Sequence, residues 1–244
     1  MNPILIEEKC LNAFPALKTV LYKGCIIRFA GTYSNRSNSA NPLYTNTCDY
    51  DDVISYTEIL YKANNQKSCF KIISAHSYAS LDALLEKKNY EKIHETNILT
   101  VPLQSAPLQT DTNIVLSSSF SDQWLSSMCT LQNMSESDAQ TCTAILKAVQ
   151  VPIIVCSIFT DNEFAACGYA TIENGWAGFY DIVVKKELRN KGLGRQVMLS
   201  LMNEACKQGC TTGYLQVMNN NEPAKHLYKK LGFTYSYSYW YRKK

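Results

Sequence analysis

Residues 176–242 alternate between extended and helical patterns, and this alternation constrains the fold more than any other feature. The apolar run WAGFYDIVV is followed by a short loop, RNKGLGR (189–195), and by QVMLSLMNEAC, in which apolar residues repeat at helical spacing. A strand (GYLQVM), a helix (NEPAKHLYKKLG) and a last strand (FTYSYSYWYR) complete the pattern. Such a β-α-β-α-β order is typical of a mixed sheet with helices packed on it, so we expect an α/β (α+β) fold.

Similar patterns precede this region. VPIIVCSIFT and EFAACGYATIEN are typical of strands, and the dipeptide DN between them predicts a hairpin. In the first hundred residues, helices are expected at 4–13, 49–65 and 80–89, the last capped by Ser80, with strands at GCIIRFA, CFKIIS and YEKIHETNILTVPL. The polar stretch QSAPLQTDTN lacks periodicity. We therefore predict an N-terminal domain over 1–103, a linker over 104–113 and a C-terminal domain over 114–244.

A weak internal similarity links the two predicted domains. LLEKKNY (84–90) and LYKKLGF (227–233) lie 143 residues apart, and each pairs a helix end and two lysines with an aromatic residue that opens a strand. Lysine is favoured at helix C-termini in any case, so chance explains the match as well as duplication does. Duplication would make the chain a tandem of related units, each a mixed twisted sheet flanked by helices.

Composition excludes several classes of function. The ten cysteines form no Cys-x-x-Cys pair and no zinc-like spacing with the histidines, so we expect reduced thiols and no metal site. The first residues lack the pattern of a signal peptide, and the apolar runs are too short to cross a membrane, which predicts a cytoplasmic protein with no membrane partner. A net charge of +3 is too small to indicate a nucleic-acid partner.

The loop RNKGLGR has the composition of an anion site. Gly192 and Gly194 allow backbone N–H groups to point outward at a helix start, with Lys185, Lys186, Arg189, Lys191 and Arg195 around them. A dinucleotide fingerprint would need a third glycine where Val197 stands, and the Walker spacing is absent. At this point a tight turn without a ligand explains the two glycines equally well.

The wider stretch resembles the core of the GNAT N-acetyltransferases. That family shows R/Q-x-x-G-x-G/A after a strand ending in valine, then a further strand, an asparagine, an alanine three residues later and a tyrosine in the context L-Y-x-x-x-G-F. DIVVKKELRNKGLGRQVMLSLMNEA and LQVMNNNEPAKHLYKKLGF match every position. The matching residues are Arg189, Gly192, Gly194, Asn221, Ala224, Tyr228, Gly232 and Phe233.

The resemblance implies acetyl-coenzyme A (acetyl-CoA) as co-substrate. The pyrophosphate would lie on the loop at the start of the helix, and the pantetheine arm would pair with the preceding strand, which splays from the strand that holds Gln216. Asn221 would hydrogen-bond the pantetheine region. The implied coenzyme-binding residues are Ile182, Val183, Val184, Arg189, Asn190, Lys191, Gly192, Leu193, Gly194, Arg195 and Asn221.

Tyr228 is the implied proton donor to the departing thiolate, although an apolar helix stripe would place a tyrosine in the core equally well. Gln216 stands where some relatives carry a glutamate, so the general base is not apparent. Asp181 and Glu173 are candidates for this role, and each is also consistent with a structural carboxylate. A backbone N–H near Val184 would meet the oxyanion.

The N-terminal half resembles that of a bacterial group of two-domain GNAT proteins through GCIIRFAGTYSNRSNSANP. It lacks a glycine loop at the expected place, ILYKANNQ, which predicts a degenerate GNAT-like unit. Arg28, Arg36 and Asn38 would line an acceptor cleft; alternatively, Asn38 and Ser39 would only satisfy turn backbone.

Together these observations predict acetyl transfer to an unidentified amine by direct attack, in a possible homodimer. The alternative is a catalytically weak acyl-CoA-binding regulatory protein of the same fold.

Overall fold

The computed structural model describes residues 2–31, 33–44, 49–74, 78–103 and 113–244. These residues form two compact units. Unit 1 comprises Met1–Ile98, Met218–Asn220 and Ser236–Lys244, and unit 2 comprises Leu99–Val217 and Asn221–Tyr235. The helices are α1 (Pro3–Ala13), α2 (Tyr50–Ala63), α3 (Ala79–Lys87), α4 (Asp122–Leu131), α5 (Glu136–Lys147), α6 (Leu193–Lys207) and α7 (Glu222–Lys230). The strands are β1 (Lys18–Tyr22), β2 (Cys25–Phe29), β3 (Ala40–Asn41), β4 (Cys69–Ile73), β5 (Glu91–Pro102), β6 (Ile114–Ser117), β7 (Ile153–Thr160), β8 (Glu163–Glu173), β9 (Trp176–Val184), β10 (Thr212–Met218) and β11 (Thr234–Lys243).

Unit 1 is built on strands in the order β1–β2–β3–β4–β11. β1 and β2 form an antiparallel hairpin, and β3 pairs with β4 in parallel. The C-terminal strand closes this unit, because β11 runs antiparallel to β4 with Tyr239 opposite Ile73 and Lys243 opposite Cys69. Its alternating tyrosines place Tyr237, Tyr239 and Tyr241 in the core of the unit.

Unit 2 contains the order β10–β9–β8–β7–β6, with the Leu99–Pro102 part of β5 beside β10. The strands from β6 to β9 are antiparallel, whereas β9 and β10 are parallel and are joined by α6. The predicted hairpin is confirmed: Asp161 and Asn162 both have positive φ, as a two-residue hairpin turn requires. The predicted apolar face of α6 is also confirmed, because Met198, Leu201, Met202 and Ala205 are buried in the core.

The two units repeat the same order of elements. Four successive elements begin 143 residues after their counterparts: α2 and α6 at 50 and 193, β4 and β10 at 69 and 212, α3 and α7 at 79 and 222, β5 and β11 at 91 and 234. The ends of α3 and α7 match in detail, since Tyr90 N–H donates to the carbonyl of Leu85 and Phe233 N–H to that of Tyr228, each 3.0 Å long. The weak sequence similarity therefore reflects a repeated fold.

The structure differs from the sequence predictions in several places. The units do not follow the predicted boundary, since Ser236–Lys244 lies in unit 1 and Leu99–Leu103 in unit 2. Of the predicted linker 104–113, all but Asn113 lies outside the described residues. Ser80 is not the cap of α3, whose N-cap position is Tyr78. β1, β6 and α4 were not predicted. In the described part of the chain, no helix is long and apolar enough to span a membrane.

Candidate functional site

The glycine loop forms the start of α6 in unit 2. Gly192 occupies the N-cap position with φ +83°, a conformation that costs other residues about 1–2 kcal/mol. No side chain caps this helix start, and its first turn holds no acidic residue. Helical bonding begins with the amide of Gln196, which donates to the carbonyl of Gly192 over 3.1 Å. The amides of Leu193, Gly194 and Arg195 therefore lie at the positive end of α6 as donors for an anion.

Charged side chains surround this helix start unevenly. Lys191 and Arg195 are exposed beside it, whereas Lys185 forms an ion pair with Glu163 at 2.6 Å. The Arg189 Nε donates to the backbone carbonyl of Val184 at 3.3 Å. Arg189 thus ties the loop to the end of β9, and Lys191 and Arg195 present their charge to solvent.

Gly194 differs physically from Gly192. Its φ is not positive, and a Cβ there would lie 3.5 Å from Leu227 Cδ2 and 3.6 Å from Val184 Cγ2, which are ordinary contacts. The protein itself would therefore accept alanine at position 194, as the motif G-x-G/A permits.

The strands β9 and β10 separate next to the loop. Their parallel ladder ends at the pair Leu215–Phe179, although β9 continues to Val184 and β10 to Met218. On its other side, β9 carries a bulge: Tyr180 pairs with Tyr169 and Val183 with Cys167, so two β9 residues face Gly168 alone. Asp181 is the first of these two residues and has φ +48°. The paired register between β9 and β10 therefore does not extend past Phe179.

Gly168 is needed for this bulge, and the sequence reasoning missed it. A Cβ at position 168 would lie 2.4 Å from Ile182 Cδ1 and 2.9 Å from Val197 Cγ1, closer than real Cβ contacts. A glycine inside a strand pattern is a recognised signal of a bulge or a close backbone approach. The glycine in EFAACGYATIEN could therefore have indicated the bulge at Asp181.

Tyr228 lies on α7 with 8% of its surface exposed, and its ring contacts Phe233. Burial, and to a smaller extent the charge of Asp181, raises the pKa of Tyr228 to about 12. The phenol is therefore protonated at neutral pH, as a proton donor must be. A buried position in the core and a role as proton donor are therefore compatible for Tyr228.

Asp181 is half-buried at the bulge, and three groups in unit 2 respond to its charge. Besides Tyr228, the thiols of Cys167 and Cys129 have raised pKa values, chiefly through burial and with a contribution from Asp181. Asp181 is therefore brought together with Tyr228.

Glu173 is placed elsewhere. It ends β8 opposite Trp176, five residues before Asp181 on β9, a separation of about 17 Å at strand geometry. Of the two carboxylates considered as a base, Asp181 lies nearer the point where β9 and β10 separate.

Asn221 is the N-cap of α7. Its side-chain oxygen accepts from the amide of Ala224 at 3.2 Å, so a ligand would have to use the amide NH₂ group of the same side chain. Gln216 follows the last β9–β10 pair directly, and its neutral amide cannot act as a base.

Two of the three N-terminal candidates have structural roles. The guanidinium of Arg28 is buried and donates to the carbonyls of Arg36, Leu11 and Phe14, and the loss of solvent lowers its pKa to about 10. The side chain of Asn38 bonds the amide and carbonyl of Ala30. The suggestion that Arg28 and Asn38 line an acceptor site is therefore wrong; they hold backbone together. The Arg36 guanidinium stacks on Phe14, 4.0 Å from the ring centre.

Unit 1 lacks a counterpart of the glycine loop. The 143-residue offset assigns that counterpart to residues 46–52, of which 49–52 are described and lie at the start of α2, and not to ILYKANNQ, which covers the last turns of α2 and the residues after it. Asp49 caps α2 through its side chain, and Asp51 and Asp52 occupy the first turn. Carboxylates thus stand where unit 2 presents bare amides, and a phosphate would be repelled.

Comparison with known proteins identifies the family. The model of a family described as "Probable histone acetyltransferase Rv0428c C-terminal" matches residues 5–242, which spans both units. The chain belongs to this acetyltransferase family.

Similar proteins agree with this assignment. The "Uncharacterized N-acetyltransferase YobR" of Bacillus subtilis is 28% identical over 181 residues, covering 72% of this chain and 73% of that protein. Among solved structures, a GCN5-related N-acetyltransferase from Kribbella flavida superposes with a TM-score of 0.72 over 99% of this chain and 95% of that one, at 14% identity. A tandem GNAT protein from the clavulanic acid biosynthesis pathway gives 0.66 over 98% and 87%, at 12% identity. The chain is thus an acetyltransferase of this family, and its fold is that of the tandem GNAT proteins.

Proposed function

We propose that unit 2 binds acetyl-CoA at the start of α6 and transfers its acetyl group to a primary amine by direct attack. The uncapped, acid-free start of α6 is the observation that carries this proposal. The pyrophosphate would accept hydrogen bonds from the amides of residues 193–195, and Lys191 and Arg195 would neutralise its charge. The pantetheine arm would use the backbone of Ile182, Val183 and Val184.

The charge relation between Asp181 and Tyr228 supports a coupled proton transfer. The carboxylate of Asp181 accepts a proton from the attacking amine and becomes neutral. Its charge then no longer raises the pKa of Tyr228, so the phenol becomes a stronger acid when the thiolate departs. Tyr228 donates its proton to the thiolate, and the proton on Asp181 restores the phenol. A neutral amine loses one proton in this step and the thiolate gains one; an acceptor that arrives as an ammonium ion first releases a further proton to solvent.

The acceptor amine would approach Asp181 from the α4–α5 side of unit 2. A cavity of about 440 Å³ lies between these helices and includes Cys129, the thiol that responds to the charge of Asp181. Its lining contains the carboxylates of Glu136 and of Asp122, the latter in an ion pair with Lys147 at 2.7 Å, and Glu136 adds negative charge that suits an ammonium group. The family description names a probable histone acetyltransferase; for this chain the proposal is a primary amine.

The substitution Tyr228→Phe tests the proton donor. It should leave the Kd for coenzyme A unchanged and lower kcat about 100-fold or more, as loss of general acid catalysis does. Calorimetry gives the Kd, and thiol release from acetyl-CoA over a panel of primary amines gives kcat. The matched control is Tyr235→Phe, an exposed tyrosine of the same unit. An unchanged kcat in Tyr228→Phe would refute its role, and coenzyme binding without thiol release for any amine would favour the regulatory alternative.

A further inference from the structure

A hydrogen-bonded pair of tyrosines joins β9 and β10 where their backbone ladder ends. Tyr214 of β10 is paired with Gly178, one position before the last backbone pair, Leu215–Phe179. Tyr180 is the first β9 residue after that pair, and its hydroxyl donates to the hydroxyl of Tyr214 over 2.8 Å. The first link between the strands beyond the ladder is therefore made by side chains.

Gly178 makes room for this link. A Cβ at position 178 would lie 2.4 Å from both Cζ and Oη of Tyr214, and 2.8 Å from Cε2 of Tyr180. The Tyr214 ring thus lies against bare backbone, and any side chain at position 178 would displace it. Gly178, Tyr180 and Tyr214 together form what we call the tyrosine brace.

The brace is anchored on both sides. Tyr180 and Tyr214 are 3% and 1% exposed. The ring of Tyr180 stacks on that of Tyr169, its partner on β8, with centroids 5.3 Å apart and an interplanar angle of 23°. The Tyr214 ring meets Trp176 edge-on at 6.3 Å. Rings packed at interior density move little, so the hydroxyl pair holds β10 at a fixed place relative to β9.

The position of the brace connects it to the coenzyme slot. Asp181 and the bulge follow Tyr180 directly, and the backbone of residues 182–184, proposed to hold the pantetheine arm, lies just beyond. We infer that the tyrosine brace sets the separation of β9 and β10 at this slot and thereby determines how tightly coenzyme A is bound. This inference rests on the proposed function, and it makes the three brace members positioning residues.

A double substitution separates positioning from stability. Tyr180→Phe or Tyr214→Phe alone breaks the hydrogen bond between the two buried hydroxyls and should lower the melting temperature. Because both single substitutions remove the same bond, we expect Tyr180→Phe/Tyr214→Phe to lose less melting temperature than the two single variants added together, but to keep a Kd for coenzyme A raised about tenfold, the effect of one lost hydrogen bond. Tyr235→Phe is the matched control and should change neither quantity.

Gly178→Ala disturbs the brace by a second route and retains both hydroxyls. It should raise the Kd for coenzyme A by about the same factor as the double variant, since both release the same link. Wild-type affinity in the folded double variant or in folded Gly178→Ala would overturn the inference while leaving the proposed function intact. Failure of the wild-type protein itself to bind coenzyme A would refute the proposed function, and the inference with it.

Discussion

The two glycines of RNKGLGR should respond differently to the same substitution. Gly192 has φ +83°, and a Cβ there would meet no atom within 4 Å, so Gly192→Ala introduces backbone strain without a steric clash. The strain of a left-handed alanine is about 1–2 kcal/mol. Because a domain of this size loses about 2–4 °C of melting temperature per kcal/mol, we expect Gly192→Ala to melt about 2–8 °C lower.

Gly194→Ala is the matched comparison. Its Cβ would make ordinary contacts with Leu227 and Val184, and alanine is intrinsically favoured over glycine in a helix by up to about 1 kcal/mol. The free protein should therefore be as stable as the wild type or slightly more stable. Coenzyme affinity should be retained, since the motif accepts either residue at this position.

The affinity for coenzyme A provides a second measurement on the Gly192→Ala and Gly194→Ala variants. A strained residue at position 192 relaxes by leaving the left-handed region, which turns the amides of residues 193–195 away from a common anion. We expect Gly192→Ala to raise the Kd for coenzyme A about tenfold, the equivalent of about 1.4 kcal/mol, and calorimetry checks this. Gly192→Asn should lose less stability than Gly192→Ala, because asparagine tolerates this conformation. Equal stability and affinity in Gly192→Ala and the wild type would refute the reasoning.

Three further predictions concern stability and salt. Arg28→Met should lower the free energy of unfolding by about 3 kcal/mol, because several charge-assisted hydrogen bonds to carbonyls are lost, without changing the Kd for coenzyme A; an altered Kd would contradict its structural role. Burial raises the pKa of Tyr228 to about 12, so ionisation of this phenol costs the folded state up to about 2.7 kcal/mol as the pH rises from about 10 to 12; the melting temperature of the wild type should therefore fall relative to that of Tyr228→Phe over this range. The Kd for coenzyme A should rise with NaCl concentration in titrations, since exposed Lys191 and Arg195 are screened by salt.

The elements of unit 2 were largely predictable from local patterns. The pattern of WAGFYDIVV predicted both ends of β9, and the dipeptide DN predicted the hairpin. Both signals are local, because period-two alternation and turn preferences are properties of a few consecutive residues. α4 was missed: DQWLSSMCTL contains polar serines and a threonine, and its burial depends on partners far along the chain, such as the Cys156 carbonyl that accepts from Trp124. The prediction that Ser80 caps α3 was wrong because Ser80 already lies within the helix.

In the candidate site, too, some features were predictable from local sequence and others depended on tertiary structure. The glycine loop and Tyr228 follow from the spacing of the motif, which the sequence displays. The separation of β9 and β10 and the tyrosine brace depend on register between strands that are distant in sequence, and no local pattern specifies that register. The bulge at Asp181 did have a local signal, the glycine at position 168.

By itself, the sequence determined most of the helices and strands and their order, the GNAT motif and the weak repeat at 143 residues; it did not reveal β1, β6 or α4. Only the tertiary structure showed that the last strand, β11, belongs to unit 1 and that aspartates occupy the start of α2. It also showed that the Arg28 side chain donates hydrogen bonds to backbone carbonyls. Periodicity shows which face of a strand is buried, but the choice of neighbouring strand depends on the free energy of packing summed over the whole unit.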